Sequence, residues 1–193
     1  MKIGVLALQG AFIEHEKMLQ RLGVEAVEVR LPKDLEGVDG VIIPGGESTT
    51  ISKLAVQYSL IEPLRELARS GRPLWGTCAG LIFMAREVGR NQPLLGLMDV
   101  AVQRNAFGRQ VDSFEADLHI KAVAGDKPFH AIFIRAPLIE SVGNNVEVLA
   151  RVEKDDSQVI VAARQDNLLV TSFHPELSND DRFHRYFLKM AER

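Results

Sequence analysis

Short apolar runs alternate with stretches of helical periodicity through the first half of the chain. That is the pattern of a parallel sheet with helices on both faces. Lys2 to Leu8 reads as a continuous apolar strand, and Phe12 to Leu22 as a helix with Phe12, His15, Leu19 and Leu22 on one side. Glu25 to Arg30 alternates as a strand, and Gly40 to Ile43 is a buried one ended by Pro44-Gly45-Gly46. Ser48 and Thr49 stand where they can cap the next helix. Ile61 to Ala68 is a further helix, Gly71-Arg72-Pro73 a turn, and Leu74 to Gly76 a strand, with a helix-like segment following from Leu81 to Ala85.

The second half changes character. Val100 to Val102, Phe114 to Ile120, Ala131 to Ile134, Val146 to Val152, Val159 to Ala163 and Leu168 to Phe173 read as strands joined by short turns. They are predicted to be antiparallel additions to one edge of the sheet. Arg182 to Met190 closes the pattern as an amphipathic helix. With no internal repeat and no Pro/Ser-rich linker, residues 1–193 are expected to form a single domain. The fold class is α/β: an open, mostly parallel sheet flanked by helices, with antiparallel edge strands in the second half.

Composition narrows the function classes. A formal net charge of −3 without a Lys/Arg cluster argues against a nucleic-acid partner. One cysteine excludes an internal disulfide framework, a CxxC redox pair and a Cys-rich zinc site, so a reduced, cytoplasmic setting is the default. No metal and no cofactor are expected. The apolar stretch after Met1 breaks at Gln9-Gly10 and is followed by Glu14, His15 and Glu16, so it reads as a buried strand rather than a signal peptide. No run approaches the length of a membrane span.

That one cysteine, Cys78, lies in Gly76-Thr77-Cys78-Ala79-Gly80, a G-x-C-x-G turn between a strand and a helix. Flanking glycines allow so sharp a turn that the central side chain is presented at the strand end. A thiol above a helix N-terminus is favoured as thiolate. The bland alternative is a buried, inert cysteine. A cysteine nucleophile needs a base, and the base an orienting acid. Of five histidines, only His174 follows a buried strand and has an acid two residues on, in Ser172-Phe173-His174-Pro175-Glu176. In extended chain such residues project to one side about 6.5 Å apart, so Glu176 can hold one imidazole nitrogen while the other faces Cys78. The alternative is a strand end with a polar turn. His15, His119, His130 and His184 lack such neighbours and read as structural.

Pro44-Gly45-Gly46-Glu47-Ser48-Thr49 ends another strand. Attack on an amide produces an oxyanion, stabilised best by two preorganised N–H groups. Ala79, directly after the nucleophile, can supply one and the Gly45-Gly46 peptide the other. A simple turn is the alternative; a phosphate loop is disfavoured because the G-x-x-x-x-G-K-[ST] pattern is missing and Glu47 would repel phosphate.

In this order the pieces resemble the class I (triad-type) glutamine amidotransferases, whose fold is flavodoxin-like, and more narrowly the glutaminase subunits of pyridoxal 5′-phosphate synthase. Further matching stretches are Leu6 to Ala11 with His15, Pro44 to Thr50, Gly76 to Ile82, Arg104 to Phe114, Phe133 to Pro137 and Ser172 to Leu177. The resemblance implies Cys78 as nucleophile, His174 as acid/base and Glu176 as its orienting acid. It implies an L-glutamine pocket formed by Gly46, Glu47, Ser48, Arg104, Ile134 and Arg135. Independently, a pocket for free glutamine needs an acid for the α-ammonium and a base for the α-carboxylate, and Glu47 with an arginine provides both. The activity implied is hydrolysis of L-glutamine to glutamate and ammonia through a thioester. The ammonia would go to a separate synthase subunit that makes pyridoxal 5′-phosphate (vitamin B6) from a pentose phosphate and a triose phosphate, for which 193 residues leave no room. Other readings are the glutaminase of another biosynthetic pathway, a cysteine-elbow stress protein or peptidase-like domain, and a non-catalytic regulatory subunit.

Overall fold

A computed structural model of the chain describes residues 1–104, 113–123, 127–154 and 156–192. Residues 105–112, the centre of the Arg104 to Phe114 motif, lie outside the described residues. The first half runs β1 (Lys2–Leu6), α1 (Phe12–Arg21), β2 (Glu25–Val29), β3 (Gly40–Ile43), α2 (Ser48–Gln57), α3 (Ile61–Arg69), β4 (Leu74–Thr77) and α4 (Ala79–Met84). Then come β5 (Ala85–Glu87), β6 (Met98–Gln103), β7 (Ser113–Leu118), β8 (Phe129–Ile134), β9 (Leu138–Val142), β10 (Glu147–Lys154), β11 (Ser157–Gln165), β12 (Leu168–Thr171) and α5 (Arg182–Ala191).

The main sheet has the order β2-β1-β3-β4-β12-β11-β9-β6-β5, with β10 also paired to β11. From β2 through β12 every pairing is parallel. Side chains alternate faces along each strand, which splits the core in two. Val41, Ile43, Leu74 and Val170 pack on one face, towards α2, α3 and α4. Ile42, Trp75 and Leu169 pack on the other, with Phe183 and Phe187 of α5 and Leu19 of α1.

Two expectations for the second half need correction. Leu168 to Phe173 is not an edge addition: β12 lies in the middle of the sheet, parallel to β4. The tight turn at Asp166-Asn167, with Asp166 at φ 52°, reverses the chain out of β11, and β11 itself runs opposite to β4. Nor do β7 and β8 join the main sheet; they form their own antiparallel pair. The aromatic face of that pair explains why. Phe133 stacks on Phe114 with centroids 4.4 Å apart and meets Phe173 edge-on, so the hairpin is held by packing over the sheet rather than by ladder bonds to it. The cap of α2 also differs. Glu47 is its N-cap, accepting from the backbone N–H groups of Thr49 and Thr50 and from the Thr50 hydroxyl at 2.8 Å, with the Thr49 hydroxyl also donating. β5 and β9 were not predicted; both are short, and β9 directly follows Pro137.

At the start of α4 the backbones are almost in contact. A Cβ on Gly80 would stand 2.0 Å from the carbonyl oxygen of Ile43. That clash is with backbone, which cannot swing aside. Gly80→Ala is expected to destabilise the fold by about 2 kcal/mol or more, read as a lower urea midpoint at unchanged slope. An unchanged midpoint would show that the turn does not depend on this close approach.

Candidate active site

The parallel register of β4 and β12 ends at Thr77 opposite Thr171, so both strands deliver their next residues to the same edge. Cys78 follows directly, its N–H donating to the Thr171 carbonyl at 2.8 Å. It sits at φ 48° and ψ −102°, an unusual conformation for a residue with a side chain. The strained turn aims the thiol outward, and the sulfur lies 3.9 Å from the Ile134 carbonyl of β8. The expected elbow is therefore present, with α4 starting at Ala79.

His174 arrives from β12, its backbone N–H held by the Ile132 carbonyl at 2.8 Å. Its Nδ1 meets Oε1 of Glu176 at 2.7 Å, and its ring lines the same cavity as Cys78. Burial pushes the imidazole down, but the neighbouring Cys78 and Glu176 side chains outweigh it, and its pKa is raised to about 10. Glu176 is fully enclosed at its side chain. Burial alone would push its pKa up, yet His15 and His174 beside it hold it below the ordinary carboxylate value. Cys78, His174 and an ionised Glu176 thus stand in a row, the arrangement that a thiol nucleophile, its base and an orienting acid would need.

The Gly45-Gly46 loop is fitted against this chain. A Cβ on Gly45 would lie 2.4 Å from Cε1 of His174 and 3.3 Å from Cβ of Cys78. The segment after β1 braces the loop from behind. The Ala11 N–H donates to the Gly45 carbonyl at 2.9 Å, and Oε1 of Gln9 accepts from the Glu47 N–H at 2.7 Å. Gly10, at φ 101°, would place a Cβ 1.8 Å from the Gly45 oxygen. The Gln9-Gly10-Ala11 stretch of the motif thus forms the rear support of the loop, a contact that no local signal in the sequence announces.

A cavity of about 510 Å³ opens beside the thiol. Gly46, Glu47, Ser48, Cys78, Ala79, Arg104, Ile134, Arg135 and His174 all line it, together with Ile82 and Ser113, which sequence reading missed. Glu176 lies behind His174 rather than in the wall. The Ser48 hydroxyl is buried and, among the described residues, has no hydrogen-bond partner, so a ligand in the cavity can satisfy it. Across the cavity, Arg104 reaches Glu47 at 3.4 Å and is held from behind by Gln92 at 3.1 Å. Burial raises the Glu47 pKa, but hydrogen bonds from Thr49 and Thr50 dominate and lower it to about 2, so it is anionic at neutral pH. His15 and His184 were read as purely structural, yet His15 Nε2 lies 3.4 Å from Glu176. Nothing local in the sequence signals that contact, because the partners come from opposite ends of the chain.

Among the described residues, no cluster of His, Cys, Asp or Glu could hold a metal ion, and no helix is long and apolar enough to cross a membrane.

Residues 5–193 match the sequence profile of one family. The chain belongs to the SNO glutamine amidotransferase family. Relatives in Herpetosiphon aurantiacus and Moorella thermoacetica are both named Pyridoxal 5'-phosphate synthase subunit PdxT. The first is 59% identical over 192 residues, covering 97% of this chain and 99% of the relative. The second is 60% identical over 191 residues, covering 98% and 99%. A solved structure described as a glutamine amidotransferase superposes with TM-score 0.92 at 50% identity, covering 99% of each chain. The PurLQS structure from Thermotoga maritima, at 17% identity and TM-score 0.70 over 97% of each chain, shares the fold. This SNO-family chain thus has the class I glutamine amidotransferase fold that its motifs imply.

The raised pKa of His174 gives a pH signature. A group raised on folding stabilises the native state fully below its ordinary value of 6.5, and that contribution is lost as pH rises through about 10. The neighbouring Cys78 side chain is one cause of the elevation. In Cys78→Ala, the His174 ring followed by NMR should therefore titrate at lower pH than in wild type. An unchanged titration would mean that thiol and imidazole are not paired.

Proposed function

We propose that this chain hydrolyses L-glutamine to L-glutamate and ammonia through a γ-glutamyl thioester on Cys78. It does so as the glutaminase subunit of a pyridoxal 5′-phosphate synthase, handing ammonia to the synthase subunit. The observation that carries this is the Cys78–His174–Glu176 chain opening into a cavity that bears both an acid and a base. The name shared by relatives 59% and 60% identical over nearly the whole chain supports the pathway over other glutaminases. The paired charges of Glu47 and Arg104 support free glutamine over a peptide substrate. We further propose that residues 1–193 act as one glutaminase domain and that it works in the cytoplasm.

In this reading the Cys78 thiolate, paired with the His174 imidazolium, attacks the γ-amide carbon. The oxyanion that forms is met by the N–H groups of Gly46 and Ala79. His174 gives its proton to the amide nitrogen, the C–N bond breaks and ammonia leaves. A water then gives a proton to His174 and attacks the thioester carbon. The C–S bond breaks, glutamate departs and the thiolate is restored. Throughout, Glu176 keeps the ring oriented and stabilises its positive charge. Glu47 and Arg104 separate to hold the α-ammonium and α-carboxylate.

Cys78→Ala should abolish ammonia release while leaving the fold intact, and an electrophilic glutamine analogue should label the wild type once per chain, at Cys78. His174→Asn should be close to inactive. Glu176→Gln should be less damaging by roughly 10²-fold, since it orients without exchanging protons. Full activity in Cys78→Ala, measured as ammonia release with the synthase subunit present, would overturn the assignment.

The oxyanion loop generates a second expectation. Turning over the Gly45-Gly46 peptide would break the bond from Ala11 to the Gly45 carbonyl, which would give the loop two distinct states. Partner binding then selects the competent one. The chain alone should turn over glutamine about 10²- to 10³-fold more slowly than when saturated with synthase, the usual effect of one oxyanion donor. Equal turnover in the two conditions would sink the switch.

A further inference from the structure

Behind Glu176 lie two buried histidines that the triad leaves unused. His15, on the core side of α1, and His184, in α5, are both fully buried. They meet at 3.0 Å through Nδ1 of His15 and Nε2 of His184. From the other side of its ring, Nε2 of His15 lies 3.4 Å from Oε2 of Glu176 and 3.3 Å from Oγ1 of Thr77. The titratable and charged groups facing His15 are Glu176 and His174 beyond β12, His184 on α5 and Glu14 on α1 itself. The Trp75 ring of β4 packs edge-on against both imidazoles, which excludes water from this side.

One proton arrangement satisfies the buried carboxylate, and it leaves Thr77 Oγ1 within reach of the same Nε2–H as a second acceptor. The inner oxygen of Glu176 accepts from His174, while the outer one, Oε2, is buried and among the described residues makes no hydrogen bond of good geometry. A buried carboxylate needs donors at both oxygens. A lone pair on His15 Nε2 would face that anion and be repelled, so Nε2 carries the hydrogen. Nδ1 is then an acceptor, and His184 supplies its Nε2–H. The remaining nitrogen, His184 Nδ1, has no partner among the described residues, as suits a lone pair rather than an orphaned N–H. Burial lowers the pKa of both rings, so each keeps a single proton. A movement of a few tenths of an ångström would bring the 3.4 Å contact into ordinary hydrogen-bond range.

We propose that His15 is a positioning residue for the triad, donating from Nε2 to the outer oxygen of Glu176, with His184 fixing the tautomer that makes this possible. Held at one oxygen only, the carboxylate would be free to rotate, and its bond to His174 would loosen. Held at both, it fixes the imidazole at the angle the thiol needs. The inference rests on the triad reading above.

The test is a matched pair of amides, made in the full chain and assayed saturated with the synthase subunit. His15→Gln carries its amide nitrogen near the position of imidazole Nε2 and keeps the donor to Glu176. His15→Asn is one methylene shorter and loses it. We expect kcat within about 3-fold of wild type for His15→Gln. For His15→Asn we expect a fall of about 10- to 100-fold, the usual effect of losing a bond to a charged group, with KM for glutamine changed by less than about 3-fold. A second readout needs no turnover: the pH dependence of Cys78 alkylation by iodoacetamide. A loosened Glu176 supports the imidazolium less, so the alkylation midpoint should rise by about one unit in His15→Asn and in His184→Leu, and stay in place in His15→Gln.

Wild-type kcat and midpoint in a folded His15→Asn would overturn the proposal. So would an equal loss in the Gln and Asn variants, which is what a mere core-filling role produces. Should His15→Asn fail to fold, His184→Leu decides, since it leaves His15 in place and removes only the tautomer lock; an unchanged kcat and midpoint there overturn the proposal. Cys78→Ala separates the two levels of inference. Retained hydrolysis in that variant removes the triad and the positioning role together. Its loss, beside an unaffected His15→Asn, removes the positioning role alone.

Discussion

The site depends on parallel pairing in the centre of the sheet. β3, β4 and β12 lie side by side and point the same way, so their carboxyl ends emerge at one edge. Each end then contributes one component: the Gly45-Gly46 loop from β3, Cys78 from β4, His174 from β12. Such strand ends are where open α/β sheets place their ligands. No side chain needs to reach far, because the ladder has already set the spacing. The close approaches at Gly45 and Gly80 are consequences of the same geometry, since neighbouring strand ends leave no room for a Cβ between loop and imidazole or between helix and strand.

The second constraint is electrostatic. Glu176 is a carboxylate with no exposed side-chain surface, yet it stays below its ordinary pKa. Its contribution to stability is therefore present above the ordinary value of 4.5 and is lost as pH falls through its lower folded value. Around that charge stand polar side chains from three elements: His174 after β12 at 2.7 Å, His15 on α1 at 3.4 Å and, behind His15, His184 on α5. The helices on that face thus do more than cover the sheet. They present polar side chains to the rear of the site, in a layer otherwise formed by Trp75, Phe173, Phe183 and Phe187.

This division explains what the sequence revealed. The elbow and the His174-Pro175-Glu176 pair are local, each readable within a few residues of a strand end, and the apolar runs of β1, β3 and β4 announced the parallel half. The place of β12 was not local. It depends on the direction of β11, which the chain acquires only after the intervening antiparallel strands. The detached β7–β8 hairpin was hidden for a similar reason: Phe114 and Phe133 look like any strand residues until their stacking partners are known. Glu47 was read as a pocket acid, while its capping of α2 escaped notice because Ser48 and Thr49 are also good caps. His15 has an apolar helical environment in sequence, and only tertiary contact reveals the carboxylate beside it.

The double use of Glu47 links the fold to selectivity. Its carboxylate accepts from Thr49 and Thr50 at the start of α2 and stands 3.4 Å from Arg104. The caps hold it anionic and fixed, so it needs no reorganisation to receive an ammonium. Arg104 is fixed in turn by Gln92, which also contacts Ser52 on α2. Roughly half of the Glu47 side chain is exposed, so its bond to Arg104 is a weak, solvent-screened one. A free amino acid, carrying both charges on one carbon, can replace that contact with two ion pairs in a less solvated pocket. Peptide-bound glutamine has neither charge and would leave both groups desolvated without partners. On the proposed reading, the pair of charges that meets across the cavity therefore selects the substrate that separates it.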